Sequence, residues 1–267
     1  MNNIELWDGI PLWGIFLGTM MITLLSLEVG FQAGKRKRRS LPAEEKIQVG
    51  PFVAASLSML AFMLAMVFSN VQTRSHQRMQ VALDEARAIG SAYRAAVVLP
   101  AADRAEVRQL LNDYVSLRVE ALQDGTAQRL QQARDRSEEL QSVLWSRAVT
   151  FADQHPTPVT SLFMRSVNEV IDLHQKRITV SIHYRLPGIL WIVLYGLLIL
   201  THAQGGYASA MASRRRLIAV TLSATLAFSV VLLLVVSLDR PHQQLSTVSY
   251  AAMLDLQKSI RSMQAQP

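Results

Sequence analysis

Only a small part of this chain's polar chemistry sits where its setting is unusual. Glu28 lies at the end of an apolar run, about a turn and a half before Gly34. An ionised group at membrane depth costs about 2.5–3.5 kcal/mol on insertion scales, so it faces protein or water. Glu28 reads either as a gate or ion-binding carboxylate or as the local partner of Lys35 and Arg36. A second set begins in the next apolar run. Ala54, Ser58, Ala61, Ala65 and Ser69 recur at helical spacing and share one small-residue face. Such a face suits tight helix packing or the lining of a narrow pore. Asn70, Arg74, Arg78 and Glu85 follow, and the last three share a helical face. At a pore mouth they would set the local potential; in a bundle neck they would be salt-bridged neighbours. The pore or gate candidates are therefore Glu28, Ser58, Ser69, Asn70, Arg74, Arg78 and Glu85. His202 is a further ionisable group within an apolar run, either titrating near neutral pH or packed as a polar group.

Catalytic chemistry has no comparable set. There is no glycine-rich phosphate loop, no His-Glu-x-x-His and no nucleophile elbow. The histidines at 76, 155, 174, 183, 202 and 242 are scattered, and Asp172-x-His174 lacks the spacing that puts two ligands on one helix face. The chain has no cysteine, which removes thiolate ligands, disulfides and cysteine nucleophiles. No enzyme, no metal and no cofactor is expected.

These candidates need elements to hold them, and those elements are membrane spans. Of 267 residues, 50% are hydrophobic, and mean hydropathy is +0.20. Apolar runs cover about 10–31, 52–71, 186–211 and 217–238. Each is long enough for a helix to cross a hydrocarbon core of about 30 Å. Trp7, Trp13, Trp191 and Tyr195 sit near span ends, where amphipathic rings favour the interface. The N-terminus carries Glu5 and Asp8 instead of a basic stretch, so it does not read as a cleaved signal.

The formal net charge of +7 has two sources. Lys35 to Arg39 opens a basic loop after the first span, and Arg214 to Arg216 separates the third from the fourth. Basic residues in short loops stay cytoplasmic. The pI near 10.0 thus reports topology, and no nucleic-acid partner is expected. The N-terminus, the C-terminus and the 72–185 segment then lie on the opposite side of a bacterial inner membrane. The long segment itself, with 15 basic and 13 acidic residues, does not set orientation.

The 72–185 segment reads as helical. No proline or glycine interrupts residues 52–89, so the second span predicts one continuous helix of about 70 Å ending near Leu99-Pro100. Helices follow over 101–124, with Gly125 as the stop; over 127–154, ended by His155-Pro156-Thr157-Pro158; and over 159–184. Their apolar stripes are Val107, Leu110, Leu111, Tyr114, Leu117; Leu130, Ala133, Leu140, Leu144, Phe151; and Leu162, Phe163, Val167, Val170, Leu173. A weaker amphipathic helix spans 246–263. The fold class is an all-α membrane protein: spans one and two in 1–71, an extramembrane helical bundle in 72–185, spans three and four in 186–238, and a C-terminal amphipathic segment in 239–267. Amphipathic helices must hide their stripes, which calls for an antiparallel bundle or an oligomer.

Several motifs extend through the chain: Glu28-x-Gly30, Glu85-Ala86, Ala88-Ile89-Gly90-Ser91-Ala92-Tyr93-Arg94, Leu99-Pro100, Leu110-Leu111-x-x-Tyr114-x-x-x-Arg118, Asn168-Glu169-x-Ile171-Asp172, Arg185-Leu186-Pro187, Gly206-Tyr207 and Leu238-Asp239-Arg240-Pro241. With them the sequence resembles the bacterial bestrophin-like domain family of multi-pass membrane proteins. Tyr93, Arg94, Asn168, Glu169, Asp239 and Arg240 in these motifs read as structural polar pairs. Through its distant similarity to bestrophins, the resemblance implies a homo-oligomeric ion channel with its pore on the symmetry axis. The implied partners are the lipid bilayer, further copies of the chain and inorganic ions. The alternative is a non-conducting sensor or interaction scaffold with an external helical domain.

Overall fold

The computed structural model describes residues 10–40, 49–124, 126–183, 186–212 and 218–265. Among them there is no β-strand. Eight α-helices follow in order: α1 Leu12–Arg39, α2 Gly50–Ala95, α3 Ala101–Asp124, α4 Ala127–Gln154, α5 Pro158–His183, α6 Gly188–Ala212, α7 Ile218–Asp239 and α8 Pro241–Ala265. A single 3-10 turn, Ala96–Val98, follows α2. Prolines mark the starts. Pro11, Pro100 and Pro187 immediately precede α1, α3 and α6; Pro51, Pro158 and Pro241 stand in the first turns of α2, α5 and α8. There the missing N–H costs no helical hydrogen bond. Thr126 caps α4, its hydroxyl accepting from Arg129 N–H at 3.4 Å.

Four helices are long and apolar enough to cross a membrane, and they are the four runs read from the sequence. The first differs at its end. Lys35 to Arg39 was expected to open a loop, but these residues form the last turns of α1. Lysine and arginine are good helix formers, and cations are favoured at a helix C-terminus. The remainder of that basic loop and Arg214 to Arg216 lie outside the described residues, as do Trp7, Gly125 and Arg185.

The chain forms two compact units: residues 1–73 with 185–240, and residues 74–184 with 241–267. In the first, α1 and α6 lie side by side and parallel. Thr19 Oγ1 meets the Tyr195 hydroxyl at 2.9 Å near one end, and Arg38 Nη1 donates to the Ala210 carbonyl at 3.0 Å near the other. Between these points the backbones touch. A Cβ on Gly30 would overlap the Ala203 carbonyl, and one on Gly206 would overlap that of Leu27. Gly30 and Gly34, one turn apart, both make this close approach onto α6, with Gly206 completing it. Leu60, Leu64, Val67 and Val71 of α2 pack against Leu194, Leu198 and Leu232, and against Leu186 and Val235.

The second unit contains 74–95 of α2, then α3, α4, α5 and α8. Its core joins Ile89 and Tyr93, Leu111 and Val115, Leu144 and Ala148, Phe163 and Val167, and Met253 and Ile260. Helix α8, legible in sequence only as a weak amphipathic stretch, supplies the last two. Leu162 departs from its expected stripe: it is 63% exposed, and Phe163 beside it is buried.

Candidate functional site

The apolar stripes of the second unit are not purely apolar. On α2 the buried run Val81, Ala82, Ile89, Ala92 contains Glu85. On α3 Leu111, Val115 and Val119 are joined by Tyr114 and Arg118. On α4 Ala133, Leu144 and Ala148 share their face with Ser137 and Gln141. On α5 Phe163, Val167 and Val170 lead at helical spacing to His174 and, one turn on, Arg177. Four helices thus each bring polar groups into an apolar core. Burial of such groups is tolerable only when they pair with one another.

Most of them do. The Tyr114 hydroxyl donates to Glu85 Oε1 at 2.6 Å. It also lies 2.8 Å from His174 Nδ1 and accepts from Gln141 Nε2 at 3.3 Å. Arg177 Nε is 2.7 Å from Glu85 Oε2, a charge contact whose N–H is not aimed along the hydrogen-bond direction. His174 Nδ1 is 3.6 Å from Glu85 Oε1 and 3.1 Å from Arg177 Nη2. The phenol has one proton, and the charged carboxylate is its stronger acceptor. Proton counting then places a hydrogen on His174 Nδ1, donating to Tyr114 Oη, and leaves the Arg177 contact to that nitrogen without a hydrogen bond. His174 Nε2 is buried with no partner.

The electrostatics follow from burial and charge. Burial alone pushes the Glu85 carboxyl up, but Arg177, His174, Arg118 and Tyr114 together outweigh it and hold Glu85 well below the usual carboxylate range. Burial, then the Glu85 charge, pushes the Tyr114 phenol far up, so it stays protonated. Burial, with help from Arg177 and Arg118, lowers His174 against the opposing pull of Glu85, so the ring is neutral at pH 7. Burial also lowers Arg118, and neighbouring Arg177 adds to this; Arg177 itself is raised because Glu85 outweighs its burial. Among the described residues no group of three or more His, Asp or Glu side chains could hold a metal ion.

The residues singled out from sequence fall in different places. Glu85 and Arg78, read either as mouth residues or as salt-bridged neighbours in a bundle neck, are both buried. Arg74 is half-buried, and Ser58, Ser69 and Asn70 are exposed. Ser58 donates to the Ala54 carbonyl and Asn70 to that of Met66, one turn back. Glu28 is half-buried and accepts from Gln32 Nε2 at 3.0 Å. His202 is buried, its Nδ1 2.8 Å from the Leu198 carbonyl. Tyr93 is buried without a hydrogen bond, and the Arg108 guanidinium lies 4.8 Å over its ring. Arg94 bonds Ser91 and Asn168 bonds Asp172, both within their own exposed turns, and Glu169 is exposed. Asp239 and Arg240 are buried, and Asp239 Oδ1 accepts from Leu186 N–H at 3.1 Å, tying the end of α7 to the approach to α6.

Gln141, His174 and Arg177 were not singled out as site residues. Their signal was available: each interrupts or extends an apolar stripe at helical spacing.

Residues 18–253 match the Bestrophin-like domain family. No curated protein and no solved structure matches the chain. Glu85, Tyr114 and Arg118, which meet in the core, all belong to motifs that carry the resemblance.

Proposed function

Because the chain belongs to the bestrophin-like domain family, we propose that it forms a homo-oligomeric ion pore, with one face of α2 turned to the symmetry axis. The observation that carries this reading is an uncovered face. Leu60, Leu64, Val67 and Val71 are buried within their own unit, whereas Ala54, Ser58, Ala61, Ala65 and Ser69 are exposed. Exposed Met59, Phe62 and Met66 flank the small face with bulk suited to lipid. Small residues let backbones approach closely, and their hydroxyls line a narrow passage without filling it. Ser58, Ser69 and Asn70 are the axis residues in this reading, with Arg74 beyond them and Glu28 nearer the cytoplasmic end. Glu85 and Arg78 are not mouth residues. No residue is assigned a catalytic role.

The same reading puts both basic runs in the cytoplasm of a bacterial inner membrane, and the termini with residues 72–185 outside. The parallel packing of α1 and α6 supports it. Their C-terminal ends lie together at Arg38 and Ala210; α1 ends within one basic run, and the sequence after α6 enters the other. Current recording from purified protein in planar bilayers tests the pore. Discrete currents that change in Ser58→Ala or Asn70→Ala support it, and silence under every cation and anion tried rejects it.

A non-conducting sensor is the second reading. It is favoured by the buried polar network of Glu85, Tyr114, His174 and Arg177 in unit 2, which lies apart from the face assigned to a pore. Ligand-dependent stabilisation in protein that carries no current would select it.

A further inference from the structure

Helix α1 carries a stripe that changes character along its length. Ile22, Leu25, Val29, Gln32, Arg36 and Arg39 recur at alternating intervals of three and four residues, so they share one helical face. All are exposed, the three aliphatic members by 37%, 58% and 66%. Gly30 and Gly34, on the far side of the helix, are closed against α6. A hydrocarbon core of about 30 Å takes about 20 helical residues. Counted from Leu12, where α1 begins, it ends near Phe31, so Gln32, Arg36 and Arg39 stand at headgroup depth. Because the basic run after Gly34 is helical, each of its side chains has a defined direction. Arg38 turns to α6, where it donates to the Ala210 carbonyl. Lys37 lies off the stripe. Arg36 and Arg39 stay on it, one turn apart, and make no hydrogen bond or ion pair among the described residues. Glu28, the only acidic residue of α1, is two turns from Arg36 and accepts from Gln32 Nε2.

We propose that this stripe binds an anionic phospholipid, with the phosphodiester held by Arg36 and Arg39. The order of chemistry along the helix matches the order along the lipid. An acyl chain lies over Ile22, Leu25 and Val29, and the Gln32 amide stands at the level of the glycerol esters. A guanidinium presents paired N–H donors that fit two phosphate oxygens. Helical side chains lean toward the N-terminus, which carries both guanidiniums back toward the membrane. Charge selects the occupant. From Gln32 to Arg39 the helix holds no acid to balance its cations, so a headgroup with net negative charge is favoured over a zwitterionic one, which brings its own cation. The site requires only that α1 spans lipid. It does not depend on whether the protein conducts, and the bilayer recordings decide that question separately.

The test is native mass spectrometry of the full-length protein in an uncharged detergent. Phosphatidylglycerol and phosphatidylcholine with the same acyl chains are added in competition. The expected result is saturable binding that prefers phosphatidylglycerol. A cation at the headgroup contributes about fivefold in affinity, so Arg36→Gln and Arg39→Gln should each weaken that binding about fivefold. Lys37→Gln removes one charge from the same turn but off the stripe, and should leave binding within about twofold. An equal loss in Lys37→Gln would reduce the effect to the diffuse field of the basic run and overturn the site. Equal binding of the two lipids would overturn it too, as would full binding to the Arg36→Gln/Arg39→Gln double variant. Displacement of the bound lipid by inorganic phosphate would overturn the lipid assignment in favour of a free anion. If the variants do not fold, phosphatidylglycerol with a photoactivatable acyl chain decides on the wild-type protein. Labelling within residues 22–39 supports the site, and labelling only elsewhere overturns it.

Discussion

The contact between α1 and α6 makes the most demanding prediction, because backbone meets backbone there and no side chain can yield. A methyl on Gly206 would overlap the Leu27 carbonyl oxygen and sit 2.8 Å from Phe31 N. A methyl on Gly30 would overlap the Ala203 carbonyl oxygen and sit 2.8 Å from its Cα. Ordinary carbon contacts are about 3.5–4.0 Å, so either alanine must drive the helices apart by about 1.5 Å. Overpacking of this kind costs about 1–3 kcal/mol, and rigid backbone puts it at the upper end. The propensity gain of alanine over glycine, up to about 1 kcal/mol, offsets part of this. We expect Gly206→Ala and Gly30→Ala each to lose about 2 kcal/mol, a fall in melting temperature of about 4–8 °C at 2–4 °C per kcal/mol. Gly18 is the internal control. It is helical, in the same α1, and a methyl there would meet nothing within 4 Å, so Gly18→Ala should be neutral or stabilising. The assay is thermal unfolding in detergent followed by far-ultraviolet circular dichroism. If Gly206→Ala and Gly18→Ala melt together with the wild type, the close approach is wrong.

Tyr114→Phe removes the hydroxyl that Glu85, His174 and Gln141 share; leaving buried partners unsatisfied costs about 1–3 kcal/mol, and an unchanged denaturation midpoint would remove the network from any structural role. His174 has a folded-state pKa below its ordinary 6.5, so the unfolded chain takes up the proton first. Stability is full above about pH 6.5 and falls as pH drops from there toward the folded value; a melting-temperature series from pH 8 to 5 should show this decline and His174→Gln should flatten it, whereas the same slope in both proteins would assign the acid sensitivity elsewhere. Asp239→Ala strands the Leu186 N–H and should cost about 1–3 kcal/mol while lowering the yield of assembled protein on size-exclusion chromatography; normal melting and normal assembly would contradict a structural role.

The helical layout was largely legible, for reasons that can be named. Proline at 100, 156, 158 and 187 and glycine at 125 bracket stretches whose apolar residues recur at helical spacing, and α3 and α4 begin and end at the residues read from that punctuation. The unbroken helix from the second span into the next unit followed from the lack of any breaker between 52 and 89. The end of α1 was not legible because a run of five basic residues carries two meanings. It signals a cytoplasmic boundary to the membrane, yet lysine and arginine also continue a helix well. Position relative to lipid says nothing about where the backbone stops being helical. The partner of α8 was equally hidden, since it packs into a unit whose other helices end more than fifty residues earlier.

One step of the site reading stayed open in the sequence. Arg74, Arg78 and Glu85 share a helical face by spacing, and spacing left the direction of that face open between a pore mouth and a bundle neck; Arg78 and Glu85 are buried. A spacing argument says which residues point the same way but not whether that way is outward. The deciding information lay in the neighbours on the same stripe. Val81, Ala82, Ile89 and Ala92 surround Glu85 and are all buried, and an apolar majority carries a polar minority inward with it. The same vote applies to Tyr114 and Arg118 among Leu111, Val115 and Val119, and to His174 beyond Val167 and Val170. Each of these residues alone looks like an ordinary member of an amphipathic helix. Only when four helices bring their interruptions into one core do they read as a network, with the Tyr114 hydroxyl shared by Glu85, His174 and Gln141.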